Sequence, residues 1–471
     1  MNITPSDLDG KRVTVMGLGL HGGGLATARW LARHGAMVTV TDLKDETALA
    51  DSVEKLQGSG VRLVLGRHDE QDFTQTDLVV KNPGVPRTAR PLTLAGSRGI
   101  PIETDISLFL QYARNPVTAV TGSKGKSTTA SAIHHGLLSR FPHAALGGNI
   151  TVSPLSFLDE LPAGAPVVLE LSSWQLADLP DPQRLKAVVS LITNILPDHM
   201  NHYRSMDDYV ADKKRIYLGQ TAADASLFNL DDPYSAQFQK ESPARHLFFS
   251  RTPLPHGFTG AWLEEDIGRD NLDGDVRQIL PRNLRLAGEH NRLNLLAAAL
   301  ALRVLGLESR EIGERLAAFS GIEHRFEFVG EQGGVRFIND SAATIPHAAL
   351  EAVRSVPGPI ILMTGGTDKN IDFAPLAEVA AVPKTIILLE GSATGKIISL
   401  LDGLGIGYHG PFSSLADALS EAVRTAKPGD TILFSPGCAS FGMFQNEFDR
   451  GRRFKSLATS LFPAARASES K

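Results

Sequence analysis

An apolar run from Val117 to Val120 leads straight into Thr121-Gly122-Ser123-Lys124-Gly125-Lys126-Ser127-Thr128, and a helical pattern follows. This order constrains the chain more than any other feature, because it places a glycine-rich loop at the carboxyl edge of a parallel sheet with helices on its faces. The glycines let backbone amides face phosphate oxygens, Lys126 neutralises them, and the Ser127 hydroxyl can ligate magnesium. The loop departs from the full Walker pattern, whose first glycine falls on Val120 here. Nucleoside triphosphate binding is the expectation, with Gly122, Ser123, Lys124, Gly125, Lys126, Ser127 and Thr128 as the cradle.

The strand, glycine-rich turn and helix recur on both sides. Arg12 to Met16 feeds Gly17-Leu18-Gly19-Leu20-His21-Gly22, an amphipathic stretch through Leu31, and a second strand from Met37 to Thr41 that ends at Asp42. A helix N-terminus there would offer amides and partial positive charge to a pyrophosphate, with Asp42 placed for a ribose or base hydroxyl. The alternative is that the glycines serve only tight strand-to-helix packing. Toward the C-terminus, strands Val335 to Ile338, Ile360 to Met363, Thr385 to Leu389 and Thr431 to Phe434 alternate with helical stretches. The fold class is α/β throughout. At roughly 150 residues per domain, 471 residues suggest three domains, and we place them at 1–104, 105–322 and 323–471. The stretch from Ser250 to Asn283 has little periodicity and reads as a loop or a short hairpin insertion.

A net charge of −5 offers no basic surface for nucleic acid phosphates. The single cysteine, Cys438, excludes an internal disulfide or a multi-cysteine metal site, and we expect it to pack as a small apolar residue. No basic-then-apolar leader opens the chain and no window holds 18 consecutive apolar residues, so we expect a cytoplasmic protein without membrane insertion.

Further candidates lie at strand ends. Glu170 closes the apolar run Pro166 to Leu169, where a carboxylate faces the phosphate crevice and suits a magnesium ion. The polar cluster from Asn194 to Tyr203 follows the strand Ala187 to Ile192. Ser205-Met206-Asp207-Asp208 has capping-box spacing and starts a helix through Tyr217 that carries Lys213 and Lys214, which the pattern alone reads as solvated lysines.

Taken together, the phosphate loop, Glu170-Leu171-Ser172-Ser173, Asp198-His199, Gly288-x-His290-Asn291-x-x-Asn294 and His324-Arg325-Phe326-Glu327 resemble the Mur ligase family over nearly the whole chain. Lys81-Asn82-Pro83-Gly84-Val85-Pro86, Asn339-Asp340-Ser341, Gly365-Gly366-Thr367-Asp368-Lys369 and Ser435-Pro436-Gly437-Cys438-Ala439-Ser440-Phe441 are similar to the branch that adds D-glutamate. The resemblance implies a Rossmann-like UDP-binding domain, a P-loop ATP-binding domain and a Rossmann-like domain for the incoming amino acid. Residue by residue, it implies Leu20, His21, Asn82 and Gly84 around the UDP diphosphate, Asp42 near uracil or ribose, and Asn149 and Ser172 along the muramoyl-alanine arm. It assigns Lys126 and Ser127 to the β and γ phosphates, Asn291 and Asn294 to adenine, and Arg325 and Asp340 to ATP from the C-terminal domain. Two Mg2+ sites would use Ser127, Glu170, His199 and Lys213, with Lys213 as a carbamate, and Lys126, Glu170, His199 and Lys213 would form the catalytic set. Thr344, Lys369, Ser440 and Glu447 would hold the amino acid.

The implied reaction is phosphoryl transfer from ATP to the alanine carboxylate of UDP-N-acetylmuramoyl-L-alanine, then attack by the glutamate amine, in peptidoglycan precursor synthesis. Partners are small molecules only and the protein is expected to be a monomer. An acyl phosphate hydrolyses readily, so closure at hinges near Ile100 and Ser320 is expected. The amino-acid region departs from the pattern: Ala342 stands in place of a lysine, Gly442 in place of an aspartate, and Glu447-Phe448 reverses the usual order. These leave two readings open, D-glutamate with neutral drift, or the same chemistry with L-glutamate or another amino acid. A nicotinamide oxidoreductase built on Gly17 to Gly22 leaves the phosphate loop and Glu170 without a role. A non-catalytic nucleotide-sugar-binding homologue would not need the four catalytic side chains.

Overall fold

The computed structural model describes residues 5–19, 22–150, 152–198, 203–286, 288–368, 372–440 and 442–462. The expected site residues Leu20, His21, His199 and Lys369 lie outside the described residues. The chain forms three sheets in two compact units, 1–319 and 320–471.

The first sheet holds β1 (Arg12–Met16), β2 (Met37–Asp42), β3 (Arg62–Leu65), β4 (Leu78–Lys81) and β5 (Ile102–Glu103) in the order 3-2-1-4-5, all parallel. Its order reverses beside β1, so the loops after β1 and β4 open a crevice at the carboxyl edge, where ligands bind in such sheets.

The same unit carries the second sheet. Its parallel part comprises β6 (Val117–Thr121), β7 (Ala145–Gly148), β8 (Val167–Glu170), β9 (Ala187–Ile192), β10 (Ala225–Asn229), β11 (Arg245–Ser250) and β12 (Gly260–Glu264). β13 (Ile267–Asp270) and β14 (Arg277–Leu280) then add antiparallel at the edge. The stretch Ser250 to Asn283, expected as a loop or a short hairpin insertion, instead forms three strands that extend the sheet, β12 parallel to β11 and β13 and β14 following antiparallel. β6, β8 and β9 are apolar on both faces and almost fully buried, as strands covered by helices on each side must be. The helix Lys126–Leu137 packs against Glu289–Val304 so closely at Gly136 that an added Cβ would collide with Leu302.

The second unit holds β15 (Glu327–Gln332), β16 (Val335–Asn339), β17 (Ile360–Gly365), β18 (Thr385–Leu389), β19 (His409–Phe412) and β20 (Thr431–Phe434) in the order 15-16-20-17-18-19, with only β15 antiparallel. All three sheets thus follow the α/β expectation. The boundary between units falls between Phe319 and Ser320, near one expected hinge; near Ile100 no such division occurs, and the ion pairs Lys81–Asp178 and Glu103–Arg184 link the first sheet to segments of the second sheet's part of the unit. Among the described residues no helix is long and apolar enough to cross a membrane.

Candidate active site

Strand order decides what meets the phosphate loop. β6 lies between β8 and β9, and the register sets Val120 beside both Glu170 and Leu191. The loop after β6, the end of β8 and the segment after β9 therefore share one edge.

The loop itself is pinned from β9. Gly122 has φ +145 and leaves no room for a Cβ, which would collide with Thr193 Oγ1. Thr193 Oγ1 donates to the Lys124 carbonyl at 2.6 Å, and Lys124 N donates to Asn194 Oδ1 at 3.0 Å. Ser123 N donates to the Asn194 carbonyl at 2.8 Å, while Leu196 N donates to Ser123 Oγ at 2.9 Å and Tyr209 OH lies 2.9 Å from the same hydroxyl. Gly125, at φ +81, caps the helix Lys126–Leu137, and the Asn294 side chain lies against it, so this expected adenine contact touches the loop. Asn291 sits one turn earlier on the same helix, Glu289–Val304, and both asparagines are buried. Lys126 Nζ donates to the Ser123 carbonyl at 2.9 Å, arching back over the loop as a phosphate-binding lysine must. Thr193 and Tyr209 escaped the sequence reading: a threonine after a strand and a tyrosine on a helix carry no spacing signal.

Glu170 is 1% exposed, with Oε1 accepting from Asn149 Nδ2 at 2.8 Å and Oε2 buried with no partner among the described residues. A buried carboxylate oxygen without a donor is costly, and a hard cation is a fitting partner for it. The residues present thus fit a magnesium ion. No group of three His, Cys, Asp or Glu side chains among the described residues is placed for a metal.

Lys213 and Lys214, alike in sequence, part company here. Lys214 reaches Glu241 at 2.8 Å on the surface, whereas Lys213 is 1% exposed, donates to the Gly122 carbonyl at 2.7 Å and stands 4.7 Å from the Tyr209 ring centre. Burial first, and the positive charge of Lys126 second, push the Lys213 amine well below the ordinary lysine range, against the pull of Asp198, Asp212 and Glu170.

At the first sheet, Met16 pairs with both Thr41 and Lys81, bringing the turn after β1 against Asp42 and Asn82. Gly17, at φ +95, packs so closely that a Cβ would stand 2.9 Å from Asn82 Cβ. Asn82 Oδ1 accepts from Gly84 N at 3.2 Å. The Asp42 carboxylate holds the turn itself, accepting from Leu18 N at 2.9 Å, Gly19 N at 3.1 Å and Lys44 N at 2.9 Å. Ser172 caps the helix Ser173–Ala177 in a reciprocal box with Gln175.

In the second unit, Ser341 Oγ donates to the Glu447 carbonyl at 2.7 Å, and Thr367 and Ala439 exchange backbone bonds at 2.9 and 3.0 Å. The buried Arg450 guanidinium donates to the Ser341 and Cys438 carbonyls at 2.7 and 3.1 Å. These bonds gather the segments bearing Thr344, Ser440 and Glu447, and Ser440 Oγ is buried without a partner among the described residues. Cys438 is buried, as expected of a small apolar residue. Gly442 has φ +95, a conformation an aspartate adopts only with strain, so the glycine is matched to its local backbone.

Asp340 accepts from Phe326 N at 3.0 Å and Ser435 Oγ at 2.7 Å, yet burial pushes its pKa up to about 7 from 3.8. Arg325, which precedes the Phe326 amide bonded to Asp340, is exposed. A raised folded pKa means the unfolded chain releases this proton first, so stability falls as pH climbs from about 4 to 7 and stays reduced above. Asp340→Asn still accepts from Phe326 N through its amide oxygen, donates to Ser435 Oγ where the aspartate accepted, and removes that dependence. Its unfolding temperature will exceed the wild type's at pH 8, and the difference will shrink toward pH 4, in thermal scans across that range.

Comparison with known proteins agrees with this geometry. Residues 11–104 match the Mur ligase MurD-like N-terminal domain, 120–302 the Mur ligase middle domain and 324–438 the Mur ligase glutamate ligase domain. The UDP-N-acetylmuramoylalanine–D-glutamate ligase of Borreliella burgdorferi (strain ZS7) is 42% identical, covering 95% of this chain and 97% of its own. That of Treponema pallidum is 37% identical over 97% and 98%. Among solved structures, the UDP-N-acetylmuramate-alanine ligase of Thermotoga maritima superposes with a TM-score of 0.56 at 20% identity, covering 96% of this chain and 99% of that one, a likeness of fold. With all three domains matched in order and relatives this similar from end to end, the chain belongs to the Mur ligase family, in its UDP-N-acetylmuramoylalanine–D-glutamate ligase branch.

Proposed function

We propose that this protein is an ATP-dependent amide ligase that joins D-glutamate to UDP-N-acetylmuramoyl-L-alanine through an acyl phosphate, in peptidoglycan precursor synthesis. The observation that carries the reading is the meeting of a pinned phosphate loop with two buried groups, the Glu170 carboxylate, whose Oε2 has no partner among the described residues, and the Lys213 amine, which donates to the Gly122 carbonyl. The domains are taken as 1–104 for UDP, 105–322 for ATP and 323–471 for the amino acid. The chain is taken to work as a monomer in the cytoplasm.

The acceptor carboxylate attacks the γ-phosphorus of ATP, the bond to the β,γ-bridging oxygen breaks, and ADP leaves. The glutamate amine then attacks the acyl carbon, loses a proton, and phosphate departs to leave an amide. Lys126 and the loop amides meet the charge on the transferring phosphoryl group, which is where such enzymes gain most of their rate. Mg2+, held by Ser127 and Glu170 at one site and by His199 and Lys213 at another, supplies further charge neutralisation when bound. Lys213 becomes a ligand by carbamylation: its neutral nitrogen attacks carbon dioxide, an N–C bond forms, one N–H proton goes to solvent, and a carboxylate results. Asn149 and Ser172 orient the muramoyl-alanine arm, Asn291 and Asn294 the adenine, and Arg325 and Asp340 the nucleotide from the C-terminal domain. Thr344, Lys369, Ser440 and Glu447 hold the amino acid.

The test is phosphate release with ATP, Mg2+ and UDP-N-acetylmuramoyl-L-alanine against D-glutamate, L-glutamate and a panel of amino acids. Release that needs both the acceptor and D-glutamate is the expected result, and it would make the changes at Ala342, Gly442 and Glu447 drift. Release with another amino acid alone would move the specificity, and none with any partner would overturn the ligase reading.

A further inference from the structure

Lys81 and Arg87 flank the Asn82–Pro86 loop, and both grip one carboxylate, Asp178. Arg87 Nε stands 2.5 Å from Asp178 Oδ1, and Lys81 Nζ pairs with Oδ2, with the Lys81 and Asp178 side chains 4% and 6% exposed. Asp178 belongs to the other sheet's half of this unit. It is the C-cap of the five-residue helix Ser173–Ala177, whose N-cap is Ser172. The next residue, Leu179, accepts through its carbonyl from Arg215, two positions beyond Lys213. On its other side Lys81 feels the charge of the buried Asp105. One buried node therefore joins the segments carrying Asn82, Ser172 and Lys213.

Such a node is an odd choice for stability alone, since a buried ion pair seldom exceeds what well-packed apolar side chains would provide. It is well suited to holding geometry. A helix of five residues is about 7.5 Å long, so its two caps move as one. Clamping its C-cap to both ends of the Asn82 loop fixes how far Ser172 stands from Asn82 and Gly84.

We propose that Asp178, through Lys81 and Arg87, is a positioning residue that sets the span between the diphosphate end and the carboxyl end of the bound acceptor. This rests on the acceptor placement of the preceding section. It requires that the clamp matter to the whole acceptor and not to its nucleotide portion, because UDP touches only one end of the span.

The experiment replaces the pair by apolar side chains, Lys81→Met with Asp178→Leu, and compares binding of UDP and of UDP-N-acetylmuramoyl-L-alanine by calorimetry, together with kcat and the KM values for acceptor and ATP. The expected result is an unfolding temperature at or above wild type, UDP affinity within about threefold, acceptor affinity reduced about tenfold or more, and a lower kcat with the KM for ATP unchanged. Equal weakening of both ligands, or of neither, would overturn the proposal. Asp178→Glu, which keeps the charge but lengthens the arm by one methylene, guards against a folding failure in the double variant and should give the same acceptor-selective loss; wild-type acceptor binding there would also overturn it. If the wild type itself binds UDP but not the acceptor, the reading of function fails, a result separable from any behaviour of the variants.

Discussion

Lys126→Met will reduce phosphate release by about 10²–10³-fold at saturating ATP, with an unfolding temperature close to wild type. The methionine keeps the unbranched stem and the helix start at Gly125, so the loop pinned by Thr193 and Asn194 persists. What disappears is the cation arched over the loop at 2.9 Å from the Ser123 carbonyl. A second consequence compounds the first. The Lys126 charge helps to lower the Lys213 pKa, so its removal lets that pKa rise and disfavours the unprotonated amine with which carbon dioxide reacts. The variant should therefore hold less carbamate, which carbon-13 NMR in labelled bicarbonate reads directly. A loss of less than about tenfold would place the phosphate-neutralising charge elsewhere.

Glu170→Gln will cut kcat by a similar factor, about 10²–10³-fold, but its effect on stability will change sign with magnesium. In chelator the wild type holds a carboxylate at 1% exposure with Oε2 unpartnered, and a neutral amide relieves that penalty while Asn149 still bonds its oxygen. The variant should thus unfold at a slightly higher temperature, by the equivalent of about 1 kcal/mol. Excess Mg2+ binds the folded wild type and raises its unfolding temperature, whereas the amide has no charge to offer and gains little. Two thermal scans, with and without Mg2+, check the reversal. A variant less stable than wild type in both would mean that Glu170 serves a structural bond rather than a cation.

Much of this was legible before any coordinates, for a simple reason. Phosphate loops are written in contiguous residues: Gly122, Gly125, Lys126 and Ser127 act through backbone conformation and local reach, and the strand before them and the helix after them follow from hydrophobic period. The α/β class and the burial of Cys438 come from the same local signals. The roles proposed for Asn82, Asn149, Asn294 and Lys213 come from motifs shared with a family, because spacing alone does not bring such distant positions together.

The rest depends on distance across the fold. Lys213 and Lys214 are adjacent and identical in type, and the chain's pattern treats both as surface residues; one is buried against Gly122, with its pKa pushed down, only because a helix packs it onto the end of β6. Asp340 carries no mark of its raised pKa in the letters Asn339-Asp340-Ser341, since burial by distant segments produces it. Asp178 is a plain aspartate at a helix end until Lys81 and Arg87, some 91 to 97 residues earlier, close around it. Local backbone preference and hydrophobic period are properties of neighbours in sequence, and they specify the sheets and the loop. Desolvation and charge pairing are properties of neighbours in space, and they exist only once the sheets have packed.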